Sequence, residues 1–223
     1  MSTPDGTQRA RVVVELARSI PEPEGRPVCV ALDGMTGVGK TSLRGELATQ
    51  LRHEGRKVLE ASGDDFHHPR EHRYTQGRES ALGYYEDAYD YVAMARKLLA
   101  PLGEGGSREV RMRHHDLVSD AILTEEPLVT VEPSTVVLVD GSFLMRPEVA
   151  PLWDLHILVE ASRIASVARQ SARDGSPEDP GHPYYGRYFG AYDIYVERCN
   201  PRSRATFVVN NTDLKRPVVV ISR

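Results

Sequence analysis

The run Gly34-Met35-Thr36-Gly37-Val38-Gly39-Lys40-Thr41 has the spacing G-x-x-x-x-G-K-[ST], a pattern that wraps phosphate groups. Its glycines let the backbone curl so that successive N–H groups face phosphate oxygens, and the helix that follows adds the positive end of its dipole. In such a loop Lys40 reaches the β- and γ-phosphates, the Thr41 hydroxyl faces Mg²⁺, and Ser42 closes the nucleotide-contacting stretch. The flanks suit the motif. An apolar run from Val28 to Leu32 precedes it and helical periodicity from Thr41 to His53 follows it.

Phosphoryl transfer needs more than a phosphate cradle: a base for the attacking hydroxyl, an acid for Mg²⁺, and cations on the transferred group. Asp64 ends the second apolar run, Lys57 to Ala61, and is the base candidate, with Asp65 as the alternative. An aspartate at that place also caps turns, so placement alone carries this assignment. Asp140 closes Thr135 to Val139, a β-branched run, and has the position of a Mg²⁺-holding acid. Arg169 and Arg173 precede the Pro/Gly-rich stretch Asp174 to Pro183, where closure of a lid over about 174–187 would bring guanidinium groups to phosphate. The histidines do not have the spacing of a zinc site, which leaves His67 and His115 as substrate contacts or surface groups. Tyr74, Tyr84, Tyr85, Tyr89 and Tyr91 could stack on a base or sugar, with Tyr89 and Tyr91 also suited to the hydrophobic side of their helix.

Strands alternating with helices position these groups. Helical patterns span Thr7 to Ile20, Thr41 to His53, about Asp87 to Ala100, Pro147 to Leu152, Ala161 to Arg173 and Tyr188 to Cys199. Strand patterns span Val28 to Leu32, Lys57 to Ala61, Val110 to Leu117, Leu128 to Val131, Thr135 to Asp140, Leu155 to Val159, Ala205 to Val209 and Val218 to Ile221. Arg70 to Tyr85 lacks periodicity and reads as a long ordered loop. The fold class is α/β: one three-layer sandwich of P-loop NTPase type over 1–223, a mostly parallel sheet with helices on both faces.

Composition narrows the partners. A net charge of −4 gives no general attraction to nucleic acid or to an anionic membrane, and no apolar run reaches membrane-spanning length. Met1 to Gly6 is polar, unlike the start of a secretory signal, and the two cysteines, Cys29 and Cys199, offer no disulfide framework, which suits a cytoplasmic protein. The expected partners are ATP and a small hydroxylated metabolite; self-association is left open. A GTPase is disfavoured, because Asn210-Asn211-Thr212-Asp213 lacks the lysine of a guanine reader.

Taken in order, these segments resemble the uridine kinase and phosphoribulokinase family of P-loop kinases. The likeness covers Asp33-Gly34 through Thr41, Asp64-Asp65-Phe66-His67 against the family's Asp-Ser-Phe-Tyr, Asp87-Ala88-Tyr89-Asp90 against Asp-Ala-Phe-Asp, Asp140-Gly141 against Glu-Gly, and Arg173-Asp174 at the lid entrance. The resemblance implies Mg-ATP as donor, Asp64 as general base, and the 5′-hydroxyl of uridine or cytidine as acceptor, with Phe66, His67, Tyr84, Tyr85 and His115 around it. The acceptor half departs from the family. Gly83-Tyr84-Tyr85-Glu86 stands where nucleoside enzymes have Phe-Asp-His-Pro, and His115-Asp116-Leu117 stands where they have Tyr-Asp-Phe. A sugar, a pantothenate-like alcohol or a non-catalytic nucleotide-binding role are the alternatives.

Overall fold

A computed structural model describes residues 7–222, so the expectation for Met1 to Gly6 lies outside the described residues. The chain begins with α1 (Gln8–Ser19), whose first turn is capped by the Thr7 hydroxyl accepting from the Ala10 N–H, and continues through β1 (Val28–Asp33), α2 (Lys40–His53) and β2 (Lys57–Ser62). Next come α3 (Arg70–Arg73), α4 (Ala81–Asp87), α5 (Tyr91–Met94) and four short strands, β3 (Glu109–Val110), β4 (His115–Asp116), β5 (Ala121–Ile122) and β6 (Val129–Thr130). The second half holds β7 (Thr135–Gly141), β8 (Leu155–Glu160), α6 (Arg163–Asp174), α7 (Gly186–Cys199), α8 (Pro201–Arg204), β9 (Phe207–Asn210) and β10 (Val218–Ser222). Among the described residues no helix is long and apolar enough to cross a membrane.

The central sheet has the order β10-β9-β8-β1-β7-β2, parallel except for β10, which runs antiparallel to β9. Its inner strands are buried on both faces, as their unbroken apolar runs require. Alternate residues feed opposite layers. Val28, Val30 and Leu32 of β1 pack with Leu16 of α1 and Leu43, Leu47 and Leu51 of α2, whereas Cys29 and Ala31 pack with Met94, Leu98 and Ala191 and Tyr195 of α7. Register then decides where the chemistry gathers. Asp33 pairs with Gly141 and Ser62 with Asp140, so β1, β2 and β7 release their loops along one edge of the sheet.

Four sequence expectations change, the simplest being the helix expected from Pro147 to Leu152, which is a 3₁₀ turn at Ala150–Leu152. The stretch from Arg70 to Tyr85 is not one loop but contains α3 and most of α4, the latter capped by the Ser80 hydroxyl on the Gly83 N–H at 3.0 Å. The helix expected from Asp87 to Ala100 is broken. Tertiary pairing interrupts the helix after its C-cap Ala88: the His68 N–H donates to the Ala88 carbonyl at 3.0 Å and the Asp90 N–H to the Phe66 carbonyl at 2.7 Å. Asp90 then caps α5, which passes into a π turn at Ala95–Leu99 and a 3₁₀ turn at Ala100–Leu102 around Pro101. The strand expected from Val110 to Leu117 is likewise two short pieces, β3 paired with β6 and β4 paired with β5.

Candidate active site

The loop between β1 and α2 takes its shape from glycines and from a polar anchor beneath it. Gly37 has φ 75° and Gly39 φ 97°, left-handed values that side chains resist, and a Cβ on Gly39 would lie 2.7 Å from the Asn211 Nδ2. Asp33, fully buried, accepts the Gly34 N–H at 2.7 Å on one carboxylate oxygen and faces His156 Nε2 at 3.1 Å and the Tyr195 hydroxyl with the other. From the far side Asn211 donates to the Val38 carbonyl at 2.7 Å. The loop is thereby held at both flanks before any ligand arrives.

Lys40 folds back over the loop and donates to the carbonyls of Gly34 at 2.8 Å and Met35 at 2.9 Å. Burial lowers its pKa, with Asp140, Asp64 and Asp33 acting to raise it. The Thr41 hydroxyl donates to Asp140 at 2.5 Å, and the other oxygen of Asp140 pairs with Arg44, whose guanidinium also donates to the Ala61 carbonyl at 2.8 Å. A hydroxyl beside an oriented carboxylate is a hard-oxygen donor pair of the kind Mg²⁺ takes alongside phosphates and water, so these residues fit that ion. Arg44 had no motif to reveal it. It lies one turn into α2, and only the register of β7 places Asp140 next to it.

A cleft of about 660 Å³ runs from this loop along the sheet edge. Thr36, Gly37, Gly39, Lys40, Thr41, Ser42 and Asp140 line one end, and Asp64, His67, Tyr84, Tyr89, Arg73 and Arg187 are among the residues that line the remainder. Asp64 stands exposed on the 3₁₀ turn Gly63–Phe66, and Tyr89 donates to it at 3.3 Å while lying 3.2 Å from the Tyr84 hydroxyl. Since Tyr89 gives its proton to Asp64, its oxygen accepts from Tyr84, and the two phenols form a relay ending at the carboxylate. Asp65 does not line the cleft. It pairs with Arg113 at 3.2 Å, and partial burial raises its pKa against the opposing effect of that arginine. Within the Asp64-Asp65 pair only Asp64 faces the cleft.

The remaining expected site residues divide. Arg173 lines the cleft with its side chain largely exposed, bonded to Asp174 at 2.9 Å. Arg169 lines it too, but its guanidinium donates to the carbonyls of Val38 at 3.1 Å, Asn211 at 2.7 Å and Thr212 at 2.8 Å, which makes it a brace of the phosphate loop. Phe66, Tyr85 and His115 lie apart from the cleft. Phe66 is fully buried among the apolar residues under α5. Tyr85 points to the opposite side of α4, its hydroxyl 3.5 Å from the Cys199 sulfur. His115 is buried behind the cleft, its Nε2 at 3.3 Å from an Asp120 oxygen without hydrogen-bond alignment. None of the three lines the cleft. Arg73, Tyr74, Arg187 and Tyr188 line it; Tyr74 is among the tyrosines the sequence offers for stacking, and Tyr188 begins the helix expected after the Pro-rich segment.

The segment expected to form a lid, about 174–187, leaves α6 through Gly175 at φ 70° and is tied down by Tyr185, whose hydroxyl donates to the Pro177 carbonyl at 2.6 Å. It enters α7 at Gly186, two residues earlier than the sequence pattern suggested.

Buried histidines give the fold a pH dependence. Desolvation lowers the pKa of His67 and His114 below the ordinary value of 6.5, so the folded protein holds them neutral. As pH falls the unfolded chain takes up these protons first, and stability that is complete above about pH 6.5 declines below it. Thermal unfolding should therefore show a lower midpoint at pH 5.5 than at pH 7.5, with a shallower decline in His67→Gln. A pH-independent midpoint across that range would contradict the neutral burial.

No protein-family model matches the chain, and no curated protein sequence matches it. Solved structures do match by shape. A protein described as a possible uridine kinase from Bacillus stearothermophilus superposes with TM-score 0.69 at 23% identity, covering 90% of this chain and 96% of that one. A candidate fructose transport system kinase from a Silicibacter species gives 0.59 at 19% identity, covering 90% and 94%. D-glycerate 3-kinase from Cryptococcus neoformans var. grubii gives 0.54 at 15% identity, covering 95% of both chains. At these identities the likeness establishes the fold, a parallel-sheet P-loop architecture shared with proteins bearing kinase names. The acceptors in those names also differ from one another, which leaves activity to the site.

Proposed function

We propose that this protein is an ATP-dependent kinase of a small hydroxylated metabolite. One observation carries the reading: Asp64 lines the same cleft as the loop from Thr36 to Ser42, so a base and a phosphate cradle face a common space of about 660 Å³. The loop amides and Lys40 would hold the β- and γ-phosphates, with Arg169 keeping the loop in shape and Arg173, exposed and bonded to Asp174, turning to meet the transferred group. Thr41 and Asp140 would hold Mg²⁺, which when bound offsets the charge of the β- and γ-phosphates. The acceptor hydroxyl would give its proton to Asp64 while its oxygen bonds to the γ-phosphorus; the bond to the β–γ bridging oxygen breaks, and ADP leaves.

The sequence resemblance puts uridine and cytidine first among acceptors to assay, ahead of sugars and pantothenate-like alcohols. ADP release is to be followed with ATP and each acceptor in turn. Release that depends on an acceptor is the expected result. Tight ATP binding with no release on any acceptor would favour a nucleotide-binding regulator instead.

A further inference from the structure

Arg187, in the first turn of α7, is nine-tenths buried at the wall of the cleft. Its guanidinium lies 4.8 Å from the Tyr84 ring centroid, 5.3 Å from that of Tyr188 and 5.4 Å from that of Tyr74. Ring faces attract the charge but do not take its hydrogen bonds. The Arg187 Nε is buried with no acceptor, and among the described residues no carboxylate pairs with this side chain. Arg73, whose guanidinium lies 5.6 Å from the same Tyr74 ring centroid, bonds Asp120 at 3.0 Å through Nη2 and also leaves its buried Nε without a partner. A buried charge with unmet donors is costly unless something else completes it. The first turn of α7 carries no acidic residue and no side-chain cap, so its dipole adds to the positive potential there.

From this arrangement we infer that the acceptor carries an oxyanion, a carboxylate or a phosphate ester, which Arg187 receives with support from Arg73. The inference rests on the kinase reading above and narrows its substrate class. Oxyanions match a guanidinium fork in charge and shape, whereas a neutral nucleoside or sugar would leave the buried charge uncompensated. The guanidinium lies over the rings of Tyr74, Tyr84 and Tyr188, three of the aromatic groups that could otherwise stack on a base. Tyr84 also sets the size of the acceptor. Its ring lies beneath Arg187, and its hydroxyl reaches Tyr89, which donates to Asp64. One tyrosine side chain therefore separates the anion position from the base, which suits a hydroxyl a few carbons from the oxyanion.

Matched acceptors test this: D-glycerate and pantothenate as hydroxy carboxylates, glycerol 3-phosphate and fructose 6-phosphate as phosphate esters, and glycerol, fructose and uridine as neutral counterparts. Acceptor-dependent ADP release confined to oxyanion-bearing members is expected, and the arm that responds identifies carboxylate or phosphate. In Arg187→Met the KM for the active acceptor should rise about 10- to 100-fold while the KM for ATP holds. Arg187→Lys, which keeps the charge without the fork, should fall between. A neutral member turned over as well as any anionic one overturns the inference and leaves the kinase reading intact. An unchanged acceptor KM in Arg187→Met also overturns the inference. ATP binding without release on any member overturns both.

Discussion

Asp64→Asn is expected to lower kcat by about 10²- to 10⁴-fold while ATP affinity stays at its wild-type value. The substitution keeps size and hydrogen bonding to Tyr89 but removes the proton acceptor that faces the cleft. Because Asp64 is exposed, on a turn held by the Ser62 hydroxyl, the fold has little to lose from the change. Asp65→Asn is the informative control. It weakens the pair with Arg113 at 3.2 Å on the other side of the turn and should leave kcat near wild type. Steady-state kinetics on both variants, with ATP binding by calorimetry, separates a chemical role from a binding one. Wild-type turnover in Asp64→Asn would remove this residue as the base, and a large effect of Asp65→Asn would move the role to its neighbour.

What could be read from sequence follows the range of the interactions involved. The phosphate loop is local, so Gly34 through Thr41 declare it by spacing alone. Asp64 and Asp140 were legible one level up, because parallel strands release their loops at a common edge and an acid ending a buried run is placed there by topology. Beyond that level the signal fails. Tyr84 and Tyr85 are adjacent and chemically equal, yet the helix sends one to the cleft and the other to Cys199, and only the phase of a helix that went unseen could have separated them. That helix was obscured because Gly83, Tyr84 and Tyr85 have weak intrinsic preference for it. In sequence Asn211 belongs only to an incomplete guanine reader, whereas in the fold it braces the Val38 carbonyl. Arg187 carries no motif at all, and its meaning comes from what it lacks in three dimensions.

The site therefore has two halves of different character. The donor half is built from backbone and from polar groups that bond one another: Asp33 with Tyr195 and with His156, whose buried Nδ1 has no partner, Arg44 with Asp140, and Arg169 with three carbonyls. If nucleotide binds there as proposed, a network already bonded in this way would need little reorganisation for charge to develop on phosphate. The acceptor half leaves donors on Arg73 and Arg187 unmet. Under the proposed reading a ligand would complete it, and specificity would reside there.

Gly34→Ala should be the most damaging single-carbon change in the donor half. Gly34 has φ 148°, and a Cβ there would lie 2.2 Å from the Val159 carbonyl oxygen, with the Val159 carbonyl carbon and the Val38 Cγ2 each at 3.2 Å. Val159 cannot withdraw cheaply, because β8 is paired through Asp33 with Leu158 on one side and through Val159 with Val209 on the other. Backbone strain plus this clash should cost about 3 kcal/mol or more. In a chain of this size that lowers the unfolding midpoint by roughly 6–12 °C. ATP binding should fail even in the protein that stays folded, since the shift needed to admit the methyl group misaligns the amides that follow. Gly45→Ala supplies the contrast within α2. Its backbone is helical and a Cβ there meets open space, so it should stabilise by about 0.5–1 kcal/mol and leave ATP binding alone. Differential scanning calorimetry with an ATP titration of both variants decides the matter. A Gly34→Ala protein with wild-type midpoint and ATP affinity would mean that the loop does not press on β8 as described.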